Sequence, residues 1–141
     1  NKSSHLAMTF IFDKSQLQDM HQIISLYKSF DKYKEFTREE LYYHILPSIK
    51  LNQYKTIKEN NKVVSFANWA FLDNSSEKEY KKTKDFSNKS WKSGSNPWVI
   101  DVVSQTNGAK MANWLRHFFK KFKWMRSNNN FKFYRISKKG Y

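Results

Sequence analysis

Asp101 is the single charged residue in the apolar run Trp98 to Val103, and the chain soon turns through Asn107-Gly108 into a helical pattern. A carboxylate in such a strand can orient and charge-stabilise an imidazole. Strand, glycine turn and helix together aim a helix N-terminus at an anionic ligand. The plain alternative is an Asp at a strand end satisfied by backbone N–H groups, and on the local sequence alone that structural role outweighs catalysis. The turn holds one glycine, and the chain has neither a Walker loop nor a G-x-G-x-x-G, so the turn by itself is a weak phosphate signal.

The chain has no cysteine, which excludes thiol nucleophiles, disulfides and thiolate metal sites. Its four histidines, His5, His21, His44 and His117, show no zinc spacing, and no metal site is expected. His21 reads as a solvated helix residue and His117 as a complement to the late helix's C-terminal half. His44 is better placed, just before Leu46-Pro47. Taken alone it reads as a core or capping histidine.

The elements that must position these residues follow from periodicity and caps. Thr9 to Phe12 is a short arm or edge strand. Ser15 with Gln18 makes a capping box, and Leu17, Met20, Ile23, Ile24 and Tyr27 follow at helical spacing, predicting a helix from Gln16 to Phe30. Thr37 with Glu40 makes a second box, and that helix should stop before Pro47. Tyr54 to Lys58 and Val63 to Ala67 flank Asn60-Asn61 as a hairpin whose second strand runs on through SFANWAFL. Asp73 to Lys84 is a loop or short exposed helix with Ser75 or Ser76 as cap, and Ser90 to Asn96 is a loop. After the central strand and its helix, Trp124 to Ser127 and Phe131 to Ile136 read as a second hairpin with Arg126 near the turn. Helical spacing assigns Phe118, Phe119 and Phe122 to the core rather than to base stacking. The expected fold is α/β: a mixed, mainly antiparallel sheet flanked by helices. Residues 1–14 form a tail or arm and residues 15–141 one domain.

Twenty-six Lys and Arg against 12 Asp and Glu give a formal charge of +14, which favours an acidic partner. Base readers lean on bidentate Arg, and here Lys dominates; Arg38, Arg116, Arg126 and Arg135 are the only arginines. No apolar run is long enough to span a membrane, and no signal-peptide pattern is visible, so a cytoplasmic bacterial protein is expected.

Several motifs in order resemble the toxin-activating acyltransferases, the haemolysin-activating proteins of RTX toxin systems. ILPSIKLNQY (Ile45 to Tyr54) resembles the family's L-P-A-I-x-x-x-Q-Y stretch, and VVSFANWAFL (Val63 to Leu72) its P-x-A-Y-C-S-W-A-x-L strand. WKSGSNPWVIDVV (Trp91 to Val103) resembles W-x-x-G-D-x-x-W-x-I-D-W. NGAKMANWLRHFF is similar to the helix that follows, and WMRSNNN to the R-x-x-R-x-D/Y-P turn. The resemblance covers roughly Leu26 to Gly140.

The resemblance implies a fold like the GCN5-related N-acetyltransferases. It implies transfer of a fatty acyl group from acyl carrier protein, an acidic donor suited to the basic surface, to lysines of a protoxin. No bound cofactor is implied; the thioester is a co-substrate. Its phosphopantetheine arm would meet the helix N-terminus at Asn107 and Gly108. The family's strand Asp matches Asp101 and its late Arg matches Arg126. Its catalytic His falls where this chain has Tyr33, and its Asn before the L-P motif falls at His44. The expected site is therefore His44 as replacement base, Asp101 as its partner, Tyr33 as a hydrogen-bond donor, and Arg126 near a substrate phosphate or carboxylate.

The chain also resembles the maturation proteins of siderophore–microcin clusters. That branch implies ester attachment of a glycosylated catecholate siderophore to a microcin C-terminus, with a siderophore conjugate as co-substrate and a partner subunit. It is the preferred specialisation at this point. Fatty acylation of lysine, a non-catalytic scaffold subunit and a basic nucleic-acid-binding module are the alternatives, the last held lowest. A homo- or hetero-oligomer fits any of the first three.

Overall fold

The computed structural model describes residues 12–120 and the backbone of residues 133–136. Among them are helices α1 (Lys14–Lys28), α2 (Arg38–Lys50), α3 (Asn74–Thr83) and α4 (Ala109–Phe119). The strands are β1 (Tyr54–Glu59), β2 (Lys62–Leu72), β3 (Asn96–Ser104) and β4 (Phe133–Ile136), in the sheet order β1-β2-β3-β4. β1, β2 and β3 pair antiparallel and β4 pairs parallel to β3. The fold class is α/β with a mainly antiparallel sheet. No described helix is long and apolar enough to cross a membrane.

The α1 capping box is Asp13 with Gln16, two residues before the expected Ser15 and Gln18. Gln16 N–H donates to Asp13 Oδ1 at 2.7 Å and Asp13 N–H to Gln16 Oε1 at 3.3 Å. Asp caps as well as Ser does, and the shift leaves the apolar spacing unchanged. The Thr37–Glu40 box of α2 is present as read. Pro47, however, lies inside α2, which runs on to Lys50. An internal proline costs about 3 kcal/mol through its missing N–H and its clash with the preceding turn. Burial of Ile45, Ser48 and Ile49 across the proline offsets that cost.

The β1–β2 hairpin turns at Asn60 and Asn61, both at positive φ (52° and 65°), the geometry that two-residue hairpins require. β2 then runs between two cores. Phe66 faces α1 and α2 with Tyr27, Leu41, Ile45 and Val103. Ala67 and Trp69 face α4 with Met111, Leu115 and Phe119. Phe119 is in the core as expected, Phe118 is half-buried against Trp114, and Phe122 lies outside the described residues.

The stretch from Asp73 to Lys84 forms the regular helix α3, capped by Asp73 and not by Ser75 or Ser76. Its sequence is polar on all sides but one: Tyr80 is buried edge-on against Trp98, and Trp98 Nε1–H donates to Glu77 Oε2 at 2.7 Å. One aromatic anchor is too sparse a signal for periodicity to register. Gly94 lets the next loop cross Asp73; a Cβ there would sit 2.5 Å from Asp73 Cα. Gln53 ties β2 to this loop by donating to the carbonyls of Trp69 (2.9 Å) and Trp91 (3.0 Å).

Of the expected second hairpin, the described residues include only 133–136. Residues 133–136 pair parallel with β3, placing Asp101 and Arg135 in register, so β3-α4-β4 is a crossover unit. A parallel return needs a long connection, and α4 supplies it. The first arm of the expected hairpin, with Arg126, and most of the N-terminal arm lie outside the described residues.

Candidate active site

Asp101 sits in the interior of β3, at a bulge, not at a strand end. Asn68 of β2 pairs with Asp101 and Trp69 with Val99, so Ile100 is the extra residue. A bulge interrupts the alternation of faces. Here Ile100 packs with Tyr80 and Trp98, while Asp101 meets residues of α1 and α2. The Asp101 N–H donates instead to the Asn68 side chain, Oδ1 at 2.9 Å. Asn68 Nδ2 donates to Ser48 Oγ at 3.0 Å, and the Ser48 hydroxyl to the Ile45 carbonyl at 2.9 Å. This buried chain fastens the last turns of α2 to the sheet beneath Asp101.

Two side chains close on one oxygen of Asp101. The Tyr27 hydroxyl donates to Oδ2 at 2.6 Å, and His44 Nε2 lies 2.7 Å from the same atom. Asp101 is 0% exposed, whereas the His44 side chain is 29% exposed. A buried carboxylate persists only with charge-assisted hydrogen bonds around it. An ionised carboxylate only accepts, so Nε2–H is the donor in this pair, and in the neutral imidazole the lone pair is then on Nδ1. The result is a partly open imidazole, fixed in one tautomer by a closed carboxylate. Such an arrangement can take a proton from a nucleophile.

Tyr33 is buried and edge-on to Tyr27, with ring centroids 4.8 Å apart; Tyr27 is in turn edge-on to His44 at 5.7 Å. Tyr33 therefore reaches the site through the ring of Tyr27. At the turn after β3, Asn107 Oδ1 accepts the Ala109 N–H at 3.1 Å, and Gly108 is the N-cap residue of α4. His21 and His117 are exposed, and Arg38 Nη2 lies 3.1 Å from His21 Nδ1. Among the described residues no cluster of His, Cys, Asp or Glu could hold a metal ion.

Tyr27, Asn68 and Ser48 escaped the sequence reading. Tyr27 registered only as one apolar position of α1, although a buried Tyr needs a partner for its hydroxyl. That partner is 74 residues away. Asn68, an amide within a buried strand, was the other available signal.

Tyr27 and His44 thus converge from two helices on an Asp at a sheet bulge, with the L-P motif inside α2 and the Q-Y pair leading into β1, and the chain is of the toxin-activating acyltransferase class. The chain belongs to the RTX toxin acyltransferase family, whose sequence profile matches residues 13–139. It is 33% identical over 75 residues to the leukotoxin-activating lysine-acyltransferase LktC of a Pasteurella haemolytica-like species (strain 5943B), covering 51% of this chain and 44% of that one. It is 27% identical over 93 residues to the serotype A1 LktC of Mannheimia haemolytica, covering 65% and 56%. An uncharacterized Synechocystis protein is 29% identical over 106 residues, covering 72% and 71%. The chain thus spans about half the length of the leukotoxin activators it matches.

Proposed function

We propose that this chain transfers a fatty acyl group from an acyl-carrier-protein thioester to a lysine of a toxin, with His44 as base and Asp101 as its orienting partner. The observation that carries the reading is the 2.7 Å contact between a half-open imidazole and a closed carboxylate. The lysine acylation for which the LktC relatives are named favours this reaction over ester formation.

In the proposed step the acceptor amine attacks the thioester carbonyl. A C–N bond forms, and His44 Nδ1 takes the proton the nitrogen sheds. The tetrahedral intermediate collapses with loss of the C–S bond, and the imidazolium returns the proton to the departing thiolate. Asp101 stabilises the imidazolium by charge, and Tyr27 holds the carboxylate. The products are an amide and a free thiol. We read the fold as GCN5-related: antiparallel strands lead into a strand–helix–parallel-strand unit, whose Asn107-Gly108 turn would meet the phosphopantetheine arm. The formal charge of +14 suits an acidic carrier protein. A cytoplasmic location and a partner subunit or second copy belong to the same reading, as does Arg126 at a substrate phosphate or carboxylate.

The second reading is ester attachment of a glycosylated catecholate siderophore to a microcin C-terminus. It draws on Tyr33 standing where the family's histidine is expected. Intact-mass and fragment analysis of a co-expressed toxin separates the two. A fatty-acyl increment on Lys supports the first reading; a siderophore increment at a peptide C-terminus overturns it in favour of the second.

A further inference from the structure

We propose that the pocket beside His44 receives the acceptor's amine-bearing side chain. This inference rests on the acyl-transfer reading. His44 lines a pocket of about 200 Å³ between α2, the end of α3 and the loop that follows it. With Nε2 engaged by Asp101, proton transfer falls to Nδ1, and the nucleophile must come within about 3 Å of it.

The pocket has room for a lysine side chain. At about 30 Å³ per water-sized group, the pocket holds about seven such groups. The methylenes and amine of a lysine side chain amount to about five groups of that size. The lining agrees in chemistry. The rings of Tyr43, Phe86 and Trp91 suit an alkyl stem and its cationic head. Asp85 is held at the wall, where its Oδ1 accepts the Phe86 N–H at 2.9 Å. Its backbone is pinned at Thr83, whose Oγ1 accepts the Asp85 N–H at 3.2 Å. Asp85 draws the ammonium in.

The test is a titration of the isotope-labelled full chain, followed by NMR, with Nα-acetyl-lysine amide and with Nα-acetyl-norleucine amide, which lacks the amine. The lysine probe should shift the Trp91 indole and Asn88 side-chain signals. The norleucine probe and the D85N variant should each bind at least about fivefold more weakly. Equal binding of the two probes, an unchanged D85N, or an absence of shifts at this pocket overturns the proposal. The two readings fail separately. Asp85-dependent binding of the probe without any acyl transfer keeps the pocket and removes the reaction. Acylation of a lysine peptide with an unchanged KM in D85N keeps the reaction and removes the pocket.

Discussion

His44 of α2 and Asp101 of β3 meet at 2.7 Å across the interface between helix and sheet, one partly open and the other closed to solvent. Each needs the other for its proposed role. The carboxylate fixes the tautomer, and the imidazole is the route by which a buried charge affects a reaction outside. His44→Ala should lower acyl transfer at least about a hundredfold. Mass spectrometry of the co-expressed toxin measures this, and unchanged turnover removes His44 from the mechanism.

Tyr27 shares the same Asp101 oxygen. A hydrogen bond to a charged group contributes about 1.5–3 kcal/mol, so Tyr27→Phe should lower unfolding stability by roughly that amount. It should also reduce kcat about tenfold with KM unchanged, because the base is misoriented rather than the substrate lost. A loss of stability with kcat intact would make Tyr27 purely structural.

Asn68 satisfies the Asp101 N–H that the bulge removes from the ladder and passes its own amide to Ser48. Asn68→Leu leaves both neighbours without these bonds in a dry interior, at a cost of about 1–3 kcal/mol for each. Urea unfolding should show the loss. Ser48→Ala cuts only the outer link and should cost less. Equal effects would mean that the chain is not organised outward from Asp101.

Gly94→Ala places a methyl against the Asp73 backbone, with contacts of 2.5 and 2.6 Å to atoms that cannot rotate away. The strain should lower stability by about 1–3 kcal/mol, read as a fall in the urea midpoint. A neutral result would show that the loop shifts freely over the start of α3.

Asp73 caps α3, and the Ser76 backbone N–H and then its hydroxyl hold the carboxyl below its ordinary value of 3.8. A folded value below the unfolded one means that the contribution is complete above the unfolded value and is lost as pH falls through both. The start of α3 should therefore loosen below about pH 4. The Ser76 amide resonance reports it. Asp73→Asn keeps a capping oxygen but does not titrate, so it should abolish this acid dependence.

Local signals carried much of the architecture. Asn60-Asn61 between alternating strands, the Thr37–Glu40 box and the apolar spacing of α1 each depend on residues within a few positions, so they could be read directly. Asp101 and His44 stood out as chemistry-bearing types in unusual places, and the family resemblance suggested pairing them. What required the tertiary structure was every feature supported from a distance. Pro47 is carried through α2 by packing on both sides of it. α3 exists because Tyr80 and Glu77 find Trp98. Residues 133–136 run parallel to β3, a pairing between distant segments that no local signal records. Tyr27 becomes a polar residue only when folding brings a carboxylate from 74 residues away to its hydroxyl. Periodicity records which side of an element is buried; it holds no record of what that side is buried against.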